Sequence, residues 1–250
     1  VANENIIEVQ VPDTIQSVVL ERVDRLEAEA KYVLQCASVI GRLFKYRLLE
    51  HITQKQKELE QYLDEFEERD LVYPERTVPE MEYAFKHALT QEATYQGILE
   101  QRRRAFHRNV ALGIEKLYQE RIEEFYEELA YHWERSKDKE KTFEYLIKAG
   151  GKSARNYMNE IAIAHYTRAL DLGRELGASD DKIAEIYESR GNVYYNMSFH
   201  EESVSDLVEA GKLYTRRDKR IDIWQLIAWI YGVYMADRET ATQYAYKILE

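Results

Sequence analysis

The sequence predicts a mostly α-helical protein in two parts: short helices with one β-hairpin over residues 1–100, then paired helices over 101–250. Three observations carry that expectation. Ten glycines and three prolines among 250 residues leave long stretches free of helix breakers. Apolar residues recur three and four apart along most of the chain. Strict alternation occurs once, over 81–86: Met81, Tyr83 and Phe85 fall on one side and Glu82, Ala84 and Lys86 on the other. That is the period of a half-buried strand.

The first helix starts at Pro12-Asp13, since proline fits the first helical turn and aspartate can cap it. Ile15, Val18, Val19, Val23 and Leu26 then line one face. A second helix runs through Ala30, Val33, Leu34 and Ala37 and stops at Gly41, a left-handed terminator. Phe44, Leu48, Leu49 and Ile52 outline a third, and Leu59, Tyr62, Leu63 and Phe66 a fourth. Leu71-Val72-Tyr73 opens a hairpin whose polar turn lies between Pro74 and Pro79 and whose second arm is 81–85. At His87 the period changes to that of a helix, with Ala88, Leu89, Ala93 and Tyr95. Helices, a hairpin and a further helix describe a winged helix, with residues 74–80 at the tip of the wing.

Past Arg102 the strand pattern stops and a repeat begins. Gly191 is followed after twelve residues by Ser203 and after nineteen by Ala210; Gly150 is followed at the same offsets by Ala162 and Ala169. Small residues so placed let two helices approach closely, while Leu146, Tyr166, Tyr187, Tyr194 and Leu207 fill the gap. Glu188 faces outward in this register. Ala130, Thr142 and Ala149 repeat the offsets but overlap the next unit by one helix, so the earliest register stays open. The stretch AEIYESRGNVYYNMSFHEESVSDLVEA resembles a tetratricopeptide repeat, a helix–turn–helix unit of ~34 residues. Trp224, Ile227, Tyr231, Tyr244 and Ile248 continue the helical pattern. The expected fold is a winged-helix domain at 1–100 followed by a tetratricopeptide-like α-superhelix at 101–250.

The junction between the two parts reads F-x-H-A-L-T-Q-E-x-x-Y…R-R-x-x-H, from Phe85 to His107. It resembles the segment that ends the winged helix and starts the helical array in STAND-class signalling ATPases. The likeness is to bacterial and archaeal members that couple such an ATPase to cyclase, kinase or transcription-factor outputs. VPDTIQSVVLERVDRL and YVLQCASVIGRLF upstream, and ELAYHWERSKDKEKTFEYLIKAG downstream, extend it. The resemblance implies a regulatory and protein-interaction module, non-catalytic in itself. Its winged helix would clamp an ATPase domain in the parent chain. Its repeats would bind a protein, peptide or small inducer on their concave face and release the clamp. It also implies that His87 senses nucleotide phosphates, although the acid that commonly follows is here Ala88. The alternative for His87 is a cap on the strand–helix corner. The opening residues read like the tail of an earlier domain, which makes an excised fragment the expectation, with a processed terminus as the alternative.

Charge and chemistry narrow the field. Forty-six acids against thirty-five bases give −11, which opposes nucleic acid and anionic membrane. A single cysteine, Cys36, excludes an intrachain disulfide and suits a reducing compartment. With no secretory start, that points to the cytoplasm. IWQLIAWIYGVYMA, at 223–236, is shorter than the ~20 residues of a membrane span and reads as a helix buried between neighbours. The G-x-x-x-x-G-K-[ST] phosphate loop is missing, and histidines 51, 87, 107, 132, 165 and 200 lack the H-E-x-x-H spacing. No cofactor, metal or enzymatic activity is therefore expected. The run Arg102, Arg103, Arg104 and Arg108 reads either as phosphate or partner contacts or as ion pairs with Glu100, Glu115, Glu123 and Glu124. A second hypothesis is a winged-helix transcriptional regulator whose repeats dimerise. Against it stands the stretch before the wing, 54–70. Three bases (Lys55, Lys57, Arg69) face seven acids (Glu58, Glu60, Asp64, Glu65, Glu67, Glu68, Asp70), a balance of −4 that opposes DNA phosphates.

Overall fold

The computed structural model describes residues 21–248. Over these the chain is mostly helical with one small sheet, and it divides into two compact units, Val1–Glu120 and Arg121–Glu250.

In the first unit, the helix start at Pro12-Asp13 and the apolar positions Ile15, Val18 and Val19 lie outside the described residues. Val23 and Leu26, the end of that apolar face, are buried. Helix α1 (Ala28–Ile40) buries Ala30, Val33, Leu34 and Ala37 at helical spacing. It stops at Gly41, whose φ of +148° and ψ of −173° belong to an extended region open essentially to glycine alone. The expected left-handed turn is not what ends this helix. The chain leaves Gly41 extended and forms β1 (Leu43–Lys45) before α2 (Tyr46–Thr53) begins. Phe44, expected on a helix, is therefore a strand residue.

Helix α3 (Leu59–Glu68) buries Leu59, Leu63 and Phe66, and β2 (Val72–Arg76) and β3 (Glu82–Phe85) form the hairpin. β1 pairs antiparallel with the other edge of β3, giving the order β1-β3-β2. That third strand corrects the reading of 81–86. β3 is central, all four of its residues are buried, and Met81 is exposed. Phe44 stacks on Tyr83 with ring centres 6.0 Å apart and meets Phe85 edge-on at 5.7 Å. Helices α4 (Ala88–Gln96) and α5 (Glu100–Leu117) follow. α5 packs on α1 and α2, so it belongs to the first unit, and the division falls at 120 rather than at 100.

The second unit comprises α6 (Tyr126–Ser136), α7 (Lys139–Arg155), α8 (Asn159–Leu176), α9 (Asp180–Asn196), α10 (His200–Leu213), α11 (Arg217–Trp229), a π-helical turn (Ile230–Tyr234) and α12 (Arg238–Lys247). Each helix packs chiefly on those before and after it in sequence. Local chemistry sets several boundaries. Asp138, Ser179 and Asp237 cap α7, α9 and α12 by accepting from Lys141, Lys182 and Thr240 backbone amides. Gly177 closes α8 at φ +64°. The stretch 223–236 departs from its expected all-round burial. Ile223, Ile227 and Ile230 are buried, but Trp229, Val233 and Tyr234 are exposed. Among the described residues no helix is long and apolar enough to cross a membrane.

Candidate functional site

The junction pattern folds as one corner of the first unit. His87 is the N-cap of α4, with β-region φ of −128° and ψ of 134°. Its carbonyl accepts from the amides of Thr90 (3.0 Å) and Gln91 (3.4 Å), while its exposed side chain makes no capping bond. The corner is thus capped by backbone, and the imidazole is left to solvent. Other residues of the pattern hold the corner. Tyr95 Oη hydrogen-bonds His107 Nε2 at 3.0 Å, edge-on to its ring, and His107 is buried. Arg103 lies 4.8 Å from the centre of the Tyr95 ring and donates to Gln96 Oε1 at 3.2 Å. Gln91 Nε2 donates to the Ser38 carbonyl at 2.7 Å, tying α4 to α1.

Arg102, Arg103 and Arg104 are engaged inside their own unit. Arg102 stands over the rings of Tyr32 and Phe106, and Arg104 pairs with Glu100. Glu123 and Glu124, read as acids for this run, pair with Arg155 and Arg121. A cleft of about 470 Å³ lies beside Arg102, lined also by Glu29, Lys31, Tyr32 and Gln35. Burial pushes the Cys36 thiol up to about 12, so it stays protonated and unreactive. Among the described residues no group of three His, Cys, Asp or Glu side chains could hold a metal ion.

In the second unit the small residues at the offsets of twelve and nineteen, with Gly150 and Gly191, are all buried, and Ala162, Ala169, Ser203 and Ala210 have no exposed surface. A Cβ at Gly150 would stand 2.8 Å from the Tyr166 ring. One at Gly191 would stand 3.2 Å from Leu207 Cγ and 3.3 Å from the Ser203 carbonyl. Gly173 and Gly211, which the offsets did not single out, are as tight: Gly173 abuts Phe143 and Ile183, and Gly211 abuts the Trp224 ring. Glu188 does not face outward. It is half-buried, accepts a hydrogen bond from the Tyr214 hydroxyl and lies 3.5 Å from Lys219 Nζ. Burial, with Glu188 beside it, pushes the Tyr214 phenol far above its ordinary range.

Arg190 bridges three helices. Its Nε and Nη2 donate to Asp206 Oδ2 and Oδ1 at 2.7 and 2.8 Å, and its Nη1 donates to Thr167 Oγ1 at 2.7 Å. Its side chain is 16% exposed and that of Asp206 7%. Farther along, a cleft of about 370 Å³ between α10, α11 and α12 gathers Lys212, Arg217, Arg220 and Lys247 around Trp224 and Gly211.

No family model matches the chain, and no curated protein matches it. Among solved structures the chain is similar to BtubC (BKLC) from P. vanneervenii, at 11% identity and a TM-score of 0.37 over 90% of this chain and 91% of that one. A likeness that low carries no argument.

The sequence carried no local signal for Arg190–Asp206 or for the four-cation cleft. The bridge joins residues sixteen apart, on different helices. The cations come from three helices and meet only when those helices pack.

Proposed function

We propose that the chain is the regulatory and protein-interaction part of a STAND-type signalling ATPase, non-catalytic in itself. In this reading the first unit is a winged helix and the second a tetratricopeptide-like superhelix. The observation that carries it is the junction. The F-x-H…R-R-x-x-H pattern forms a single corner, with Tyr95 bonded to His107, directly ahead in sequence of helices that each pack on the next. The exposed His87 imidazole, free of any capping bond, suits a group that contacts a ligand held by another domain. The winged helix would clamp the ATPase domain of the parent chain. The repeats would take a protein or peptide on their concave face, and the setting would be cytoplasmic.

The test is to read the gene upstream of Val1 and express the longer chain. The expected result is a G-x-x-x-x-G-K-[ST] loop and an ATP turnover that rises in His87→Ala, because the closed state loses its sensor. An upstream sequence without that loop would sink the reading. A turnover indifferent to His87→Ala would remove the sensor role from it.

A further inference from the structure

We propose that the cleft between α10, α11 and α12 binds a small, soluble, phosphorylated anion carrying two or more negative charges. This inference rests on the second unit alone and does not depend on the function proposed above. Four cations, Lys212, Arg217, Arg220 and Lys247, line a hollow of about 370 Å³, and among its described lining residues none is acidic. Lys212 is neutralised by Glu209 at 2.6 Å. Arg217, Arg220 and Lys247 make no ion pair among the described residues, whereas Arg216 and Lys219, interleaved with them in sequence, pair with Asp218 and Glu188. Acids outnumber bases in this chain by eleven. Three neighbouring cations with no acidic partner among the described residues repel one another around one hollow, and an anion would relieve that repulsion.

The walls are set before any ligand arrives. The Trp224 ring is lodged against Gly211 and lies 5.6 Å from the Tyr244 ring. Lys247 Nζ is held 5.1 Å from the Trp224 ring centre and 4.5 Å from that of Tyr244, a cation–π seat that keeps the ammonium beside the hollow. Arg217 and Arg220 stand three apart on α11, so their guanidinium groups emerge on one face. Two such forks match the several oxygens of phosphoryl groups better than a lone carboxylate, and several cations around one hollow call for a multiply charged guest. The hollow falls within the size range of small-ligand sites. The surplus of acids over bases in the molecule favours a dissolved ligand over a phosphorylated lipid headgroup in an anionic bilayer.

Calorimetric titration of the chain with inorganic pyrophosphate tests this. One site per chain is expected, weakened about tenfold or more in Arg217→Ala/Arg220→Ala, whose removed groups are exposed, and unchanged in Arg238→Ala outside the hollow. Lys247→Gln gives a second, independent weakening should the double variant lose its helical circular dichroism. A parallel arm sediments the chain with phosphatidylcholine vesicles containing phosphatidylinositol bisphosphate, and no co-sedimentation is expected. Absence of pyrophosphate binding, binding equal in the parent and both cleft variants, or capture by vesicles in place of pyrophosphate would each overturn the proposal.

Discussion

Arg190 meets Asp206 with two arms of its guanidinium and Thr167 with a third, in a site where little water can replace any of them. Asp206→Ala would leave that charge mostly buried and unpaired, and the expected loss is ~3–5 kcal/mol. Replacing both residues with apolar ones of similar volume should cost less than Asp206→Ala alone, because no orphaned charge remains. Urea melts of the two singles and the double would read the coupling; additive losses would contradict it. Asp181 offers a pH test. It accepts from Thr215 Oγ1 at 2.6 Å and from the Thr215 amide at 2.8 Å, and these bonds, the hydroxyl first, hold its carboxyl below the usual carboxylate range. A depressed native value gives stability that is full above the ordinary carboxylate pKa near 4 and lost as pH falls through the lowered value. Asp181→Ala should therefore melt below the parent at pH 7, with the gap closing as pH falls below the ordinary carboxylate range. A gap of constant size across that range would show that the bonds do not act through the carboxylate. Neither contact could be read from the sequence. Charged residues are common here, and which acid meets which base is settled by packing between helices.

At the scale of elements, the closely approached positions set the cost of added volume. Ala210→Leu should destabilise by ~1–3 kcal/mol or more, since the site is fully buried. Gly150→Ala and Gly211→Ala should each lose ~1–3 kcal/mol despite alanine's better helix propensity, because the new methyl meets the Tyr166 or Trp224 ring. Gly191→Leu should behave likewise. Exposed Asn192→Leu, next to Gly191, is the control and should change stability by no more than ~0.5 kcal/mol. If Gly150→Ala melts with the parent while Asn192→Leu unfolds, the helices do not touch where these contacts lie. The helices were the legible part, since a repeating apolar face is written along most of them, though α12 buries no residue. β1 was not, because three residues with one buried position give no period to read. Its absence then made β3 look like the edge of a hairpin, although it is the centre of a sheet. The early placement of the domain division has a similar cause. Nothing in the spacing of α5 tells whether it packs backward on α1 and α2 or forward on the helices after it.

Over the whole molecule, charge makes the plainest prediction. Helix α3, the element before the hairpin, carries Glu60, Asp64, Glu65, Glu67 and Glu68 and no base. In a chain of −11, duplex DNA should find no sub-micromolar site at physiological salt. Fluorescence anisotropy with random and palindromic duplexes would measure this, and tight, sequence-selective binding would move the first unit into the class of DNA readers. Composition foretold the acid surplus, but not that four cations would gather at one place in it.

The helices of the second unit pack chiefly on their neighbours in sequence, so no single core is shared by all of them. That gives the unit a grain, as in timber. Recombination that removed or duplicated a complete helix pair would disturb only the seams at its two ends. A cut through a pair would split contacts such as Gly191 against Leu207 and Arg190 against Asp206. If the unit is the stack of helix pairs proposed above, its length can change in whole-pair steps, while the inside of each pair stays under close constraint.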